Sequence, residues 1–244
     1  MRLDVYLVQQ NLVESRSKAA HLIKQELVLV NGNPISKAHY NVKEKDLVEL
    51  KQDFQYVSRG GYKIAGFNTQ IQLVIQDKTV LDLGCSVGGF SDFFLQNGAQ
   101  AVVAVDIAAG ILDQKIRNDP KVRFFEYIDV KQQSQLKKIL GDTKFDIISI
   151  DITNVPIRDV LPNVLNFITP ESKIIVLFKP QYESHSESLK GQHSDQVVES
   201  LLKEFENWVQ DQFIIKEKAP CSIKGGAKGK GNQEFLFLLQ LKTN

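Results

Sequence analysis

The chain has little of what marks a secreted, membrane-spanning or metal-built protein. Its 244 residues hold two cysteines, Cys85 and Cys221, too few for a disulfide framework and suited to a reducing compartment. No segment approaches the roughly 20 apolar residues that span a bilayer, and the opening Met1-Arg2-Leu3-Asp4 carries no apolar signal core. Lysine and arginine number 30 against 29 acids, a net charge of +1, so any surface for a polyanion must be a local patch. The four histidines, His21, His39, His185 and His193, lack metal-ligand spacing, and no metal is expected. Nor is there an internal repeat. A cytoplasmic, soluble protein is the expectation, without membrane association. The 43% hydrophobic content provides core for one large or two modest domains.

The pattern along the chain divides it into residues 1–55 and 56–244. In the first part, Leu3, Leu7 and the Val8–Leu12 region recur at helical spacing. Ser15 reads as the N-cap of a helix over 16–24, with Ala20, Ile23 and Leu27 facing inward. A short strand over 27–30 runs into Asn31-Gly32, a tight-turn signal, and a strand over 46–50 follows. Polar residues 51–53 form a connector. From Thr79 onward strands alternate with helices; strands are predicted over 79–83, 101–105, 122–126, 145–150, 173–178, 212–218 and 234–240. Such alternation implies an α/β fold with a mostly parallel, doubly wound sheet. The last strand, entered from a Gly-rich loop, suits an antiparallel insertion at the edge.

Val80 to Phe90 reads as a strand, a Gly-rich turn and a helix start. Its glycines allow positive φ and close approach of a ligand to the backbone. Asp106 ends the next strand about twenty residues on, where an acid binds ribose hydroxyls. A dinucleotide site would use Gly-x-Gly-x-x-Gly; here Ser86 replaces the second glycine and Asp82 places an acid before the turn. That acid repels phosphates and suits a cation. S-adenosylmethionine, with a sulfonium, an ammonium and no phosphate, fits this pattern. Asp82, Gly84, Ser86, Gly88, Gly89, Phe90, Asp106 and Asp151 are the candidate cofactor residues, with Asp129 placed for the adenine amino group. A turn that merely links strand to helix is the competing reading.

Asp151 and Lys179 each follow an apolar strand, and sites in open α/β sheets lie beyond such carboxyl ends. Lys63 and Glu234 complete a set of two amines and two carboxylates suited to deprotonating a hydroxyl. A lysine serves as base when a nearby cation and partial desolvation lower its pKa. Lys179 is assigned that role, Asp151 holds it near the methyl group, and Lys63 and Glu234 support and orient. Against this, taken alone Lys63 reads rather as a helix-surface lysine and Glu234 as a strand cap, since charged side chains are mostly exposed.

Four stretches carry a family likeness: Ser58-Arg59-Gly60-Gly61-Tyr62-Lys63, residues 82–92, Lys179-Pro180-Gln181-Tyr182-Glu183, and residues 224–228 onward to Glu234. Together they resemble the hemolysin A, or TlyA-type, family. The resemblance implies a class I, Rossmann-like, S-adenosylmethionine-dependent methyltransferase with a seven-stranded sheet, acting on ribosomal RNA ribose 2′-hydroxyls. It places the family's catalytic Lys-Asp-Lys-Glu tetrad on Lys63, Asp151, Lys179 and Glu234. The N-terminal part resembles the small α+β αL-type RNA-binding domain of a ribosomal protein and of pseudouridine synthases, through residues 2–4, 15–19 and 28–32. It implies RNA contacts at Arg2, Arg16, Lys18 and Lys24, with Arg59 in the second part; a solvated helix face is the bland reading. Lys216, Lys218, Lys224, Lys228 and Lys230 would add a second basic edge. The implied partner is ribosomal RNA or a ribosomal subunit, with monomer and weak homodimer both open. After Asp151 the family continues Val-Ser-Phe-Ile-Ser-Leu, whereas this chain has Ile152-Thr153-Asn154-Val155-Pro156-Ile157, bordering the acceptor site. That departure keeps a noncatalytic ribosome-assembly factor as the alternative. A membrane-lytic protein is suggested only by the family's hemolysin name.

Overall fold

The computed structural model describes residues 1–13, 16–24, 26–50, 55–183, 194–223 and 232–243. One compact unit holds Met1–Gln55, and a second holds Tyr56–Lys224 and Asn232–Asn244. In the first, α1 (Leu3–Gln9) and α2 (Arg16–Lys24) accompany an antiparallel sheet of β1 (Val28–Val30), β2 (Asn33–Pro34) and β3 (Val48–Leu50), with β1 central. Asn31 and Gly32 both take positive φ, as the two-residue turn between β1 and β2 requires. The inward face of α2 is Ala19, Leu22 and Ile23 rather than Ala20 and Leu27, which are only partly buried. Ile23 faces inward as expected, and Leu27, beyond the end of α2, packs against the same core. The expected Ser15 cap and the 51–53 connector lie outside the described residues.

The second unit runs α3 (Arg59–Ile71), β4 (Thr79–Leu83), α4 (Gly89–Gln96), β5 (Ala101–Val105), α5 (Gln114–Arg117), β6 (Val122–Phe125), α6 (Gln133–Leu140) and β7 (Ile147–Ile150). Two 3-10 turns (Ile157–Asp159 and Leu161–Phe167) follow, then β8 (Lys173–Phe178), α7 (Pro180–Glu183), α8 (Asp195–Val209), β9 (Phe213–Pro220) and β10 (Phe235–Leu241). The strands form one sheet in the order β6-β5-β4-β7-β8-β10-β9. The strands β4 to β8 pair in parallel, and β10 pairs antiparallel with both β8 and β9. The last strand is therefore inserted one place in from the edge, and β9 is the edge strand. The doubly wound expectation otherwise holds.

Continuous apolar strands produce this because both faces of the sheet are covered. Side chains alternate faces along a strand, so Ile174, Val176 and Phe178 of β8 join one core with Phe205 and Phe237, while Ile175 and Leu177 join the other with Ile64, Phe67 and Phe94. Cys85 and Cys221 are buried and unbridged. On the second face α3 and α4 approach closely through glycines. A Cβ on Gly89 would lie 2.1 Å from Ser58 Oγ and 2.8 Å from the Gly61 nitrogen, and one on Gly61 would lie 2.4 Å from Tyr56. Removing these hydrogen-only positions would push apart the helix that carries Lys63.

Phe205 packs at 4.8 Å from Phe178 and 5.0 Å from Phe237, ring centre to ring centre. Phe205→Ala is expected to cost about 3–5 kcal/mol of unfolding free energy, read from urea denaturation of the purified chain.

Candidate active site

Three strand ends and one helix bring the reacting groups together. Asp151 leaves β7 with its N–H on the Leu83 carbonyl (3.0 Å), so it sits between the ends of β7 and β4. Lys179 leaves β8, and its Nζ meets Asp151 Oδ1 at 2.6 Å and Thr153 Oγ1 at 3.3 Å. Because β10 runs antiparallel with Phe235 opposite Phe178, the residue before it, Glu234, arrives at the end where Lys179 begins. The Cys221 N–H on the Glu234 carbonyl (2.8 Å) secures that placement. Lys63, one turn into α3, reaches Glu234 Oε2 at 2.5 Å. Lys63, Lys179 and Glu234 are all buried, so neither the surface-lysine nor the strand-cap reading describes them.

The charges sense one another. Burial opposes the Asp151 carboxylate, but Lys179 and then Lys63 outweigh it and hold Asp151 below its ordinary range. Burial likewise presses Lys179 downward, yet Asp151 outweighs it, and the ammonium is held above its ordinary value. This corrects the expectation of a lysine already lowered. A buried ion pair strands a charge when either partner is removed, so the four groups form two interdependent pairs.

These side chains border a cavity of about 500 Å³, within the range of small-molecule sites. Lys63, Asp151 and Lys179 line it together with Asp106, Asp129 and the turn residues Gly84 and Ser86; Glu234 stands behind Lys63 and does not. Gly84, at φ +80, is required by approach as well as conformation, since a Cβ would lie 2.4 Å from the Asp151 carbonyl oxygen. Asp106 accepts the N–H groups of Ser86 and Ala108, both at 2.8 Å, which fixes its carboxylate at the cavity. Asp129 accepts from the Lys131 N–H at 3.1 Å.

Four of the residues expected to touch a cofactor are placed elsewhere. Asp82 is fully buried and accepts the hydroxyls of Ser91 (2.5 Å) and Ser149 (2.8 Å), fastening α4 and β7 to β4 instead of facing the cavity. Gly88 and Gly89 serve packing: a Cβ on Gly88 would strike Leu112 at 2.8 Å, and Gly89 admits α3. Phe90 lies in the core with Tyr56 and Phe93. Sequence reasoning missed Ile107, Ile128 and Lys131, which line the cavity, whereas Thr153 lines it from the segment expected to border the acceptor site. Each lies within two residues of a chosen acid, and strand-end loops contribute short runs more often than single residues. Of the second basic edge, Lys216 and Lys218 are exposed on β9 and Lys218 is paired with Glu206; Lys224, Lys228 and Lys230 lie outside the described residues, as do His185 and His193. Among the described residues no three His, Cys, Asp or Glu side chains gather as metal ligands, and no helix is long and apolar enough to cross a membrane.

Residues 56–240 match the FtsJ-like methyltransferase family, and residues 1–48 match the S4 domain. The chain belongs to the FtsJ-like methyltransferase family. Within it, hemolysin A of Brachyspira hyodysenteriae is 31% identical over 240 residues, covering 97% of this chain and 98% of that protein. The 23S rRNA (cytidine-2'-O)-methyltransferase TlyA of Campylobacter jejuni is 29% identical, with 97% and 98% covered. A solved Streptococcus thermophilus structure described as a candidate hemolysin superposes with a TM-score of 0.74 at 28% identity, covering 100% of this chain and 89% of that one. The hemolysin A/TlyA group is thus the branch to which this methyltransferase is related.

In its S4 domain, Asp4 is buried and gathers two exposed guanidiniums, Arg2 at 2.9 Å and Arg16 at 3.1 Å. The Arg2 hydrogen bond, against the cost of burial, holds the Asp4 carboxyl down to about 2. Lys24 is exposed, and Lys18 and the methyltransferase domain's Arg59 are partly buried.

Burial raises Asp82 to about 6 despite the Ser91 and Ser149 hydroxyls. The folded state therefore holds this proton more tightly than the unfolded chain, and stability falls as pH rises from about 4 to 6. Asp82→Asn removes that dependence. Relative to the parent, the variant is expected to gain roughly 3 kcal/mol between pH 4 and 7, measured by denaturant titrations across the range.

Proposed function

We propose that this methyltransferase transfers the methyl group of S-adenosylmethionine to a ribose 2′-hydroxyl of ribosomal RNA in the cytoplasm. The observation that carries the reading is the meeting of the Lys63–Glu234 and Asp151–Lys179 pairs beside a carboxylate-lined cavity. Two relatives, from Mycobacterium tuberculosis and Campylobacter jejuni, are named as rRNA (cytidine-2'-O)-methyltransferases, which supports the acceptor class.

The cavity suits the donor by its chemistry. Three carboxylates, Asp106, Asp129 and Asp151, line it beside three amines, Lys63, Lys131 and Lys179; with Lys63 held by Glu234 and Lys179 by Asp151, Asp106 and Asp129 favour a ligand that brings hydroxyls and amino groups. Asp106 keeps lone pairs free for ribose hydroxyls, Asp129 accepts from an adenine amino group, and Ile107 and Ile128 offer apolar cover. The donor supplies an electrophilic methyl on a sulfonium. Lys179 takes the proton of the acceptor hydroxyl, and Thr153 and Asp151 hold its amine in place. In the resting site that amine is charged. A further cation in the cavity divides the field of Asp151, weakens its hold on the Lys179 proton and brings the amine towards the range of a base. Lys63, fixed by Glu234, stabilises the oxyanion as it forms.

Arg2, Arg16, Lys18 and Lys24 of the S4 domain, with Arg59, are assigned to phosphate contacts, which give affinity without reading sequence. Arg16→Glu is expected to weaken rRNA binding and to reduce the slope of log affinity against log salt by about one. Filter binding at several salt concentrations measures both.

The chemistry has a sharper test. Lys179→Ala and Lys179→Arg are both expected to lower methyl transfer at least a hundredfold while donor affinity stays within a few fold. Arginine keeps the charge but cannot lose its proton. An active Lys179→Arg enzyme would show that the residue acts as a cation and not as the base. Mapping 2′-O-methyl marks on rRNA from cells with and without the protein tests the acceptor.

A further inference from the structure

Buried polar atoms nearly always find partners, yet two acceptors on α7, Gln181 Oε1 and Glu183 Oε2, have none among the described residues. Glu183 is the more telling. It is buried, it closes the single turn that follows Lys179, and its other oxygen, Oε1, accepts the Ile157 N–H at 2.9 Å.

Ile157 ends the segment whose Ile152, Thr153 and Val155 line the cavity. Two bonds tie this wall to the chain leaving β8: Lys179 Nζ to Thr153 near its start, and Glu183 to Ile157 at its end. Between them Asn154 turns the chain at φ +64, a left-handed conformation that asparagine takes more readily than other non-glycine residues. An acid with one unsatisfied oxygen in a dry site carries a cost, which is repaid here by the fastening of that wall.

We propose that Glu183 is a positioning residue for methyl transfer, its carboxyl oxygen on the Ile157 amide holding the 152–157 wall, and with it the Thr153 hydroxyl, against Lys179. It does not line the cavity and acts through Thr153 and Val155. Burial lifts Glu183 to about 7 although the Ile157 N–H favours its ionised form. Arg158 and Asp159, on the adjoining turn, pull in opposite directions. α8 packs on α7, and its buried residues, Leu201, Leu202, Phe205 and Val209, are all apolar. The neutral acid still presents an acceptor oxygen to Ile157, so glutamine reproduces the contact and alanine removes it.

The kinetic arm rests on the proposed reaction; hydrogen exchange does not. In Glu183→Ala, exchange of the peptide covering residues 152–160 is expected to rise about tenfold, and turnover to fall about tenfold with unchanged donor affinity. Glu183→Gln restores both. In the parent, protection of that peptide, corrected for intrinsic rates, falls as pH rises from about 4.5 to 7, where the acid is ionised only in the opened segment, and levels off above; in the glutamine variant it does not. Parent-like exchange in the alanine variant overturns the proposal, as does a glutamine variant as impaired as alanine. Should alanine prevent folding, equal pH dependence in parent and glutamine variant overturns it. A parent inactive on rRNA counts against the acceptor reading and leaves exchange to decide the role of Glu183.

Discussion

The antiparallel pairing of β10 with β8 sets Phe235 opposite Phe178 and so carries the first residues of a strand to the edge where the parallel strands end. In a sheet of parallel strands only the residues after each strand reach that edge. Asp151 and Lys179 come there in that ordinary way, from β7 and β8. Glu234 reaches it because its strand runs the other way. Once Glu234 is buried there, a cation must meet it, and Lys63 does so from α3 at 2.5 Å. One strand's direction therefore decides where a charge pair forms, and the amine of that pair lines the cavity.

Packing delivers Lys63 as surely as pairing delivers Glu234. Gly60, Gly61 and Gly89 let α3 lie against α4 closely enough that added methyl groups would meet backbone and Ser58. Glycine in these motifs is thus tied to helix contact as well as to a ligand turn. Among the described glycines only Gly84 combines a positive φ with a place on the cavity wall, and Ser86, at φ +51, joins it there. The turn acids divide in the same manner. Asp106 faces the cavity, whereas Asp82 is spent on two buried hydroxyls that join α4 and β7 to β4. Both are strand-end aspartates, and burial on opposite sides of the turn separates their roles.

Much of this was legible in the chain. Seven apolar runs gave the strands to within a few residues, because strands covered on both faces have nowhere to place polar side chains. Asp151 and Lys179 stood out by position at strand ends, and Lys63 and Glu234 through the family motifs that contain them. Less visible was the sign of the Lys179 shift, which depends on a carboxylate 2.6 Å away and not on burial alone. Glu183 was quoted in a motif without a role, since its partner is a main-chain N–H that no side-chain pattern announces. Gly88, Gly89 and Phe90 were assigned to the cofactor because a Gly-rich turn has the same spelling whether it approaches a ligand or a helix.

By itself the sequence determined the order of strands and helices, the two-part organisation and the chemical types available at the strand ends. Those are local matters of periodicity and turn chemistry, decided within a dozen residues. Tertiary structure alone decided the place of β10 inside the sheet, the pairing of residues 171 positions apart, and which acids see the cavity. Such contacts arise from how elements pack, and packing is a property of the assembled surfaces that no single segment carries.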